Sequence, residues 1–237
     1  MTKSTPPDEV RVLVTGFGPF LDITTNPSWE IARALPPDLQ SSHPSSRIRL
    51  IVPASPLPAA YHPILAQTTA LIDQHDPHLI VHIGLAVDRD YFAVEQSAAK
   101  DGYHDIPDVD RKVFTRAENK KVFGKAAEEL RTALDLEAAV GAWQGACSGI
   151  VATRKEGGKK KKKTAKELAR AVDVRLSDDV GTFVCGFAYY VSLLEMQKRW
   201  GRRDVVFLHV PRLEGAEEVR GGVEVTKALI RVLVEGQ

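Results

Sequence analysis

Short runs of β-branched and apolar residues alternate with longer stretches of helical spacing along most of this chain. That alternation constrains the fold more than any other feature, because parallel strands must be joined by crossovers long enough to carry the chain back, usually helices. Val10 to Thr15, Arg47 to Val52, Leu79 to Gly84, Val172 to Leu176 and Val205 to Val210 read as strands. Leu79 to Gly84 is apolar throughout except for His82, as a strand covered on both faces must be. Asn26 to Leu35, Pro58 to Gln74, Gly181 to Arg199 and Gly222 to Val234 carry helical patterns. Asn26 is placed to cap the first of these, with Pro27 at its opening position. The pattern predicts an α/β fold: a single three-layer α/β/α domain over residues 1–237, with a central, mostly parallel sheet.

The middle of the chain is less regular. Asp90 to Ala98 suggests an irregular β ribbon, Gly102 to Asp110 a series of turns, and Glu118 to Leu136 a helix. From about Gly141 to Lys166 small and charged residues dominate, including the run Lys159 to Lys163. Consecutive lysines repel one another and cannot be buried together. A flexible Lys-rich surface insertion is therefore expected at about 150–166, in preference to a nucleic-acid patch.

Charge excludes some classes of partner. Lys+Arg 32 against Asp+Glu 31 is a near-even balance, which implies neither nucleic acid nor a membrane surface. No apolar run approaches the roughly 20 residues of a bilayer span, and Met1 to Glu9 lack the apolar core of a secretory signal. Two cysteines, Cys147 and Cys185, do not make a disulfide framework, so a reducing, cytoplasmic setting is expected.

Cys185 stands where a helical pattern begins, and His209 closes the strand-like run Val205-Val206-Phe207-Leu208-His209. Unpaired N–H groups at a helix start favour a thiolate, so a lowered thiol pKa is expected at Cys185. An imidazole within reach could take the proton, giving a Cys–His nucleophile pair. Either residue alone also fits ordinary packing. Gly16-Phe17-Gly18 after a strand invites a dinucleotide reading, but Pro19 removes a donor the phosphate would need and Leu21 stands where a third glycine belongs. The loop is better suited to presenting Phe17 and Phe20 at the carboxyl end of the sheet. His75 and His78 flank a turn without a third ligand, so no metal is expected. His82 reads as a core histidine and Cys147 as a bystander thiol.

Val12-Leu13-Val14-Thr15-Gly16-Phe17-Gly18-Pro19-Phe20, Asn26-Pro27-Ser28-Trp29-Glu30, His82-Ile83-Gly84-Leu85, Val94-Glu95, Ile106-Pro107-Asp108, the Cys185 segment and His209-Val210-Pro211 fall in one order. Together they resemble the pyroglutamyl-peptidase I family of cysteine peptidases, from about Val12 to Pro211. The resemblance implies a catalytic triad of Cys185, His209 and Glu95, the last orienting the imidazole. It also implies a substrate pocket in which Phe17 and Phe20 sandwich the pyroglutamyl lactam, with Asn26 close by. Small peptides with a blocked N-terminus would be the substrates, no cofactor would be needed, and a homo-oligomer is possible by analogy. The chain departs from the family pattern at Asp105, where many members carry Arg, at Gly186, where Asn is frequent, and in the lysine insertion. Two alternatives stay open on those departures: a catalytically weak homologue acting as a binding protein, and a related amide or ester hydrolase with another substrate.

Overall fold

The computed structural model describes residues 9–41, 47–153 and 169–236. Its centre is a seven-stranded sheet in the order β10-β5-β11-β4-β1-β3-β2. The strands are β1 (Glu9–Gly16), β2 (Asp38–Gln40), β3 (Arg47–Ile51), β4 (Leu79–Leu85), β5 (Phe92–Glu95), β10 (Val174–Ser177) and β11 (Val205–Val210). Pairing is parallel except between β5 and β11 and between β2 and β3. β4 lies between β1 and β11, and all seven of its residues are buried, which explains its nearly unbroken apolar run. Helices cover both faces. On one side α1 (Pro27–Ala34), α4 (Leu136–Cys147) and α6 (Ala216–Glu235) enclose a core that includes Val12, Val14, Ile31, Trp143 and Leu229. On the other, α2 (Tyr61–His75), α3 (Arg116–Phe123) and α5 (Val184–Trp200) enclose Leu13, Ile64, Phe187, Tyr189 and Phe207.

Local chemistry sets the helix ends. Asn26 accepts from the Ser28 N–H and Pro27 opens α1, as the sequence predicts. Thr115 and Glu118 form a capping box on α3, and Gly201 closes α5 with φ 69°. α5 is apolar over most of its surface because it is packed between the sheet and α2.

The middle of the chain corrects the sequence-based expectations. Glu118 to Leu136 is not one helix: α3 ends at Phe123, a short strand β7 (Glu129–Arg131) follows, and α4 begins at Leu136. Gly141 to Cys147 belongs to α4, whose inner face buries Val140, Trp143 and Cys147, so Cys147 is a core residue and not part of a surface loop. Gly141 and Gly145 look loop-like in sequence, but they lie on the exposed face of α4, with nothing within 4 Å of where a Cβ would stand. The ribbon expected over Asp90 to Ala98 divides: β5 joins the main sheet, while β6 (Ser97–Ala99) pairs with β7 outside it. β8 (Val151–Thr153) and β9 (Ala169–Ala171) pair antiparallel across the base of the lysine segment. Residues 154–166 of the expected insertion, with Lys159 to Lys163, lie outside the described residues.

Candidate active site

The chain leaves β1 toward β3 on one side and returns to β4 on the other, so the carboxyl ends of β1 and β4 form the switch point at which open α/β sheets bind ligands. Cys185, His209, Glu95 and Gly84 converge beside it. His209 pairs in register with Gly84, and parallel partners project to the same face. A Cβ on Gly84 would stand 3.0 Å from Cys185 Sγ and 2.6 Å from the Phe207 ring. Gly84 is thus the space the thiol occupies, with the imidazole in the neighbouring strand position. His209 Nδ1 is 2.7 Å from Glu95 Oε1, and both side chains are buried. Glu95 is enclosed: β5 is flanked by β10 and β11, and the residue is 0% exposed.

Glu95 is held by more than the histidine. Its Oε2 accepts the Asp179 N–H at 3.1 Å, and Arg89 Nη1 donates to Oε1 at 2.5 Å. Burial pushes the Glu95 carboxyl up, but the hydrogen bond and charge of His209, with the bonds from Ser177 and Arg89, outweigh it and hold the group below the ordinary glutamate value. The sequence reasoning missed Arg89. Its one signal is a cation between Asp88 and Asp90, which looks like any charged turn.

Cys185 corrects an expectation. The thiol is not lowered: burial first, and the Glu95 carboxylate second, push it up to about 12, with Arg89 pulling the other way. It makes no hydrogen bond among the described residues, so the resting group is a neutral thiol. Phe183 offers no side-chain cap to α5, which leaves the N–H groups of the first turn as free donors around Cys185. Gly186 also has a reason: a Cβ there would meet the Gly181 carbonyl oxygen at 2.1 Å and the Tyr103 hydroxyl at 3.3 Å. The loop before α5 lies directly on this position, so a larger residue would have to displace it.

The β1 loop is built as a platform. Gly18 N–H donates to Leu57 O and Leu57 N–H to Gly16 O, both at 2.9 Å, so its donors are already committed. Gly16 permits α1 to approach, since a Cβ would lie 2.5 Å from Ser28 O. Phe17 is buried against Phe207 at 6.2 Å between centroids, whereas Phe20 is half-buried. Asn26 uses both ends of its amide internally: Nδ2 donates to Gly18 O at 2.9 Å, and Oδ1 accepts from the Ser28 N–H and hydroxyl. His82 lies deeper, bonded to Thr15 Oγ1 and Ser192 Oγ at 2.6 Å each. Among the described residues no cluster of His, Cys, Asp and Glu could hold a metal ion, and no helix is long and apolar enough to cross a membrane.

Residues 10–134, just over half of the chain, match the family model described as pyroglutamyl peptidase. The chain belongs to the pyroglutamyl peptidase family. The matched segment contains Phe17, Phe20, Asn26, Arg89 and Glu95 and ends before Cys185 and His209. Mouse pyroglutamyl-peptidase 1 is 27% identical over 202 residues, 85% of this chain and 79% of that protein. A pyrrolidone-carboxylate peptidase of Klebsiella pneumoniae is 29% identical over 85% of this chain and 78% of its own length. The crystal structure of Bacillus amyloliquefaciens pyroglutamyl peptidase I superposes with a TM-score of 0.69 at 20% identity, covering 95% of this chain and 97% of that one. Family membership makes this a cysteine-type peptidase, and the fold agrees with the α/β/α expectation.

Proposed function

We propose that this protein removes an N-terminal pyroglutamyl residue from small peptides, using Cys185 as nucleophile, His209 as general base and acid, and Glu95 as orienter. The observation that carries the reading is the buried Glu95–His209 pair at 2.7 Å beside a thiol at an uncapped helix start. Glu95 on Nδ1 leaves Nε2 as the base. As substrate excludes water, the Cys185 proton passes to Nε2 and the sulfur attacks the carbonyl carbon that follows the lactam. N–H groups of the α5 first turn stabilise the oxyanion. His209 returns the proton to the leaving amine, and water, deprotonated by the same imidazole, cleaves the thioester and regenerates the thiol. Phe20 offers an aromatic wall to the flat, uncharged lactam, worth about 0.5–1.5 kcal/mol beyond burial, while Phe17 and Asn26 act by shaping the loop beneath it. A cytoplasmic setting, where a thiol stays reduced, suits this chemistry.

Hydrolysis of a pyroglutamyl anilide by purified protein, beside the prolyl analogue, tests the reading. Cleavage of the first with little of the second is expected, because pocket groups paired to the lactam carbonyl are left unpaired by proline. Equal rates on both would point to a hydrolase of different specificity, and no cleavage of either to a binding protein.

A further inference from the structure

Arg89 lies in the turn between β4 and β5, with its side chain only 15% exposed. One arm of its guanidinium, Nη1, donates to the Glu95 oxygen that His209 also reaches. The other, Nη2, donates to the backbone carbonyl of Asp179 at 2.6 Å. The Asp179 N–H bonds back to the second Glu95 oxygen, which closes a ring through Arg89, Glu95 and one residue of the loop that opens α5. Gly181 of the same loop rests on Gly186, next to the nucleophile. We propose that Arg89 is a positioning residue of this reaction, which holds Glu95 in one rotamer and ties the nucleophile's loop to the carboxylate that orients the base. The proposal deepens the peptidase reading and rests on it. A histidine alone could hold Glu95, but the planar fork of Arg89 presents two separate nitrogens in a fixed geometry, one to the carboxylate and one to the Asp179 carbonyl.

Charge gives the ring a second effect. The charged groups acting on Cys185 are Glu95 and Arg89; His209 is bonded to Glu95, and Asp179 lies exposed with its carboxylate 4.0 Å from Arg89 Nη2. Asp178 is occupied by Ser97 and Arg131, and Tyr189 donates to the Glu95 backbone carbonyl. Tyr103, near Gly186, stays neutral because burial holds its hydroxyl well above the ordinary value. Glu95 works against a thiolate at Cys185 and Arg89 works for one. Removing the guanidinium therefore moves thiolate formation to higher pH.

The experiment follows Cys185 alkylation by iodoacetamide against pH, located by peptide mapping, beside pyroglutamyl anilide turnover in wild-type protein, Arg89→Met and Arg89→Lys. For Arg89→Met the alkylation profile should move up by about one pH unit, and kcat should fall about 100-fold with a smaller change in KM. Arg89→Lys keeps the charge without the fork, so its profile should stay within a few tenths of a unit of wild type while kcat falls about 10-fold. Wild-type profiles and kcat in a folded Arg89→Met protein would overturn the proposal. So would activity losses that track a lowered Tm in both variants while the alkylation profile stays fixed, because a purely structural role predicts that result. If Arg89→Met does not fold, Arg89→Lys decides, and a wild-type kcat there refutes the positioning role. A wild-type protein that alkylates at Cys185 but leaves the anilide intact fails the peptidase reading, while the shift between wild type and variant still tests the ring.

Discussion

Two histidines stand on neighbouring strands and the same face of one sheet, and their surroundings give them opposite characters. His82, mid-way along β4, is fully buried and has hydroxyl partners on both ring nitrogens. Burial pushes it down to about 3, so it stays neutral at any working pH. His209, at the carboxyl end of β11, has a carboxylate on one nitrogen, while the other is unpaired among the described residues. The cysteines divide similarly. Burial raises Cys147 to about 11 and Cys185 to about 12, yet only Cys185 stands at an uncapped helix start and against Gly84, the register partner of His209. Thiol acidity therefore does not separate the proposed nucleophile from the packed cysteine. Their neighbours at the strand ends do: Cys185 stands against Gly84, whose register partner is the carboxylate-bound His209.

The sharpest way to break this contrast is to exchange the thiols. Cys185→Ser should lower kcat/KM by about 10³-fold or more, whereas Cys147→Ser should leave it within about twofold. Mapping iodoacetamide to Cys147 in fully active protein would reverse the assignment. The histidines come next: His209→Ala should cost about 10²–10⁴-fold in kcat, the range of general base catalysis. Glu95→Gln should cost less, because the amide oxygen can still accept from Nδ1. His82→Gln should change the rate per folded molecule little, and a 100-fold loss there would show that the two histidines are not distinct in role.

Gly186 tests the packing side of the site. Gly186→Ala puts a methyl group 2.1 Å from the Gly181 oxygen, so the loop must move away from the nucleophile. A loss of about 1–3 kcal/mol in stability is expected from overpacking, together with reduced kcat, and unaltered values for both would mean that the loop yields freely.

The smallest effect concerns acid. His82 is held at about 3 against an ordinary 6.5. Between those values the unfolded chain binds a proton that the native state refuses, so stability falls as pH drops through 6.5 and stops falling below about 3. Denaturant midpoints should correspond to about 2 kcal/mol less stability at pH 5 than at pH 7.5. His82→Gln should flatten that slope, and an equal slope in the variant would place the titration elsewhere. Glu95 has the usual carboxylate sign, with stability lost at lower pH as it protonates.

The amino-acid order by itself determined the layered α/β architecture, because strands covered on both faces must be apolar throughout and crossover helices must show a 3.6-residue period; Leu79 to Gly84 and Asn26-Pro27 follow those rules locally. It also marked Cys185, His209 and Glu95 through segments that keep one order. Only the tertiary structure could decide what depends on contact between distant residues. Glu95 is buried because β5 inserts antiparallel beside β11, and no local pattern states that pairing. Cys185 has a raised thiol because the sheet and α5 desolvate it, which the helix-start argument could not anticipate. α4 was misread because its glycines, which look loop-like, occupy the exposed face, and only the packing of Val140, Trp143 and Cys147 marks the helix. Arg89 became visible only when the backbone of Asp179, 90 positions away, arrived at its second arm. Periodicity reports the solvent boundary of each element, whereas the choice of neighbour across the sheet is a property of the assembled fold.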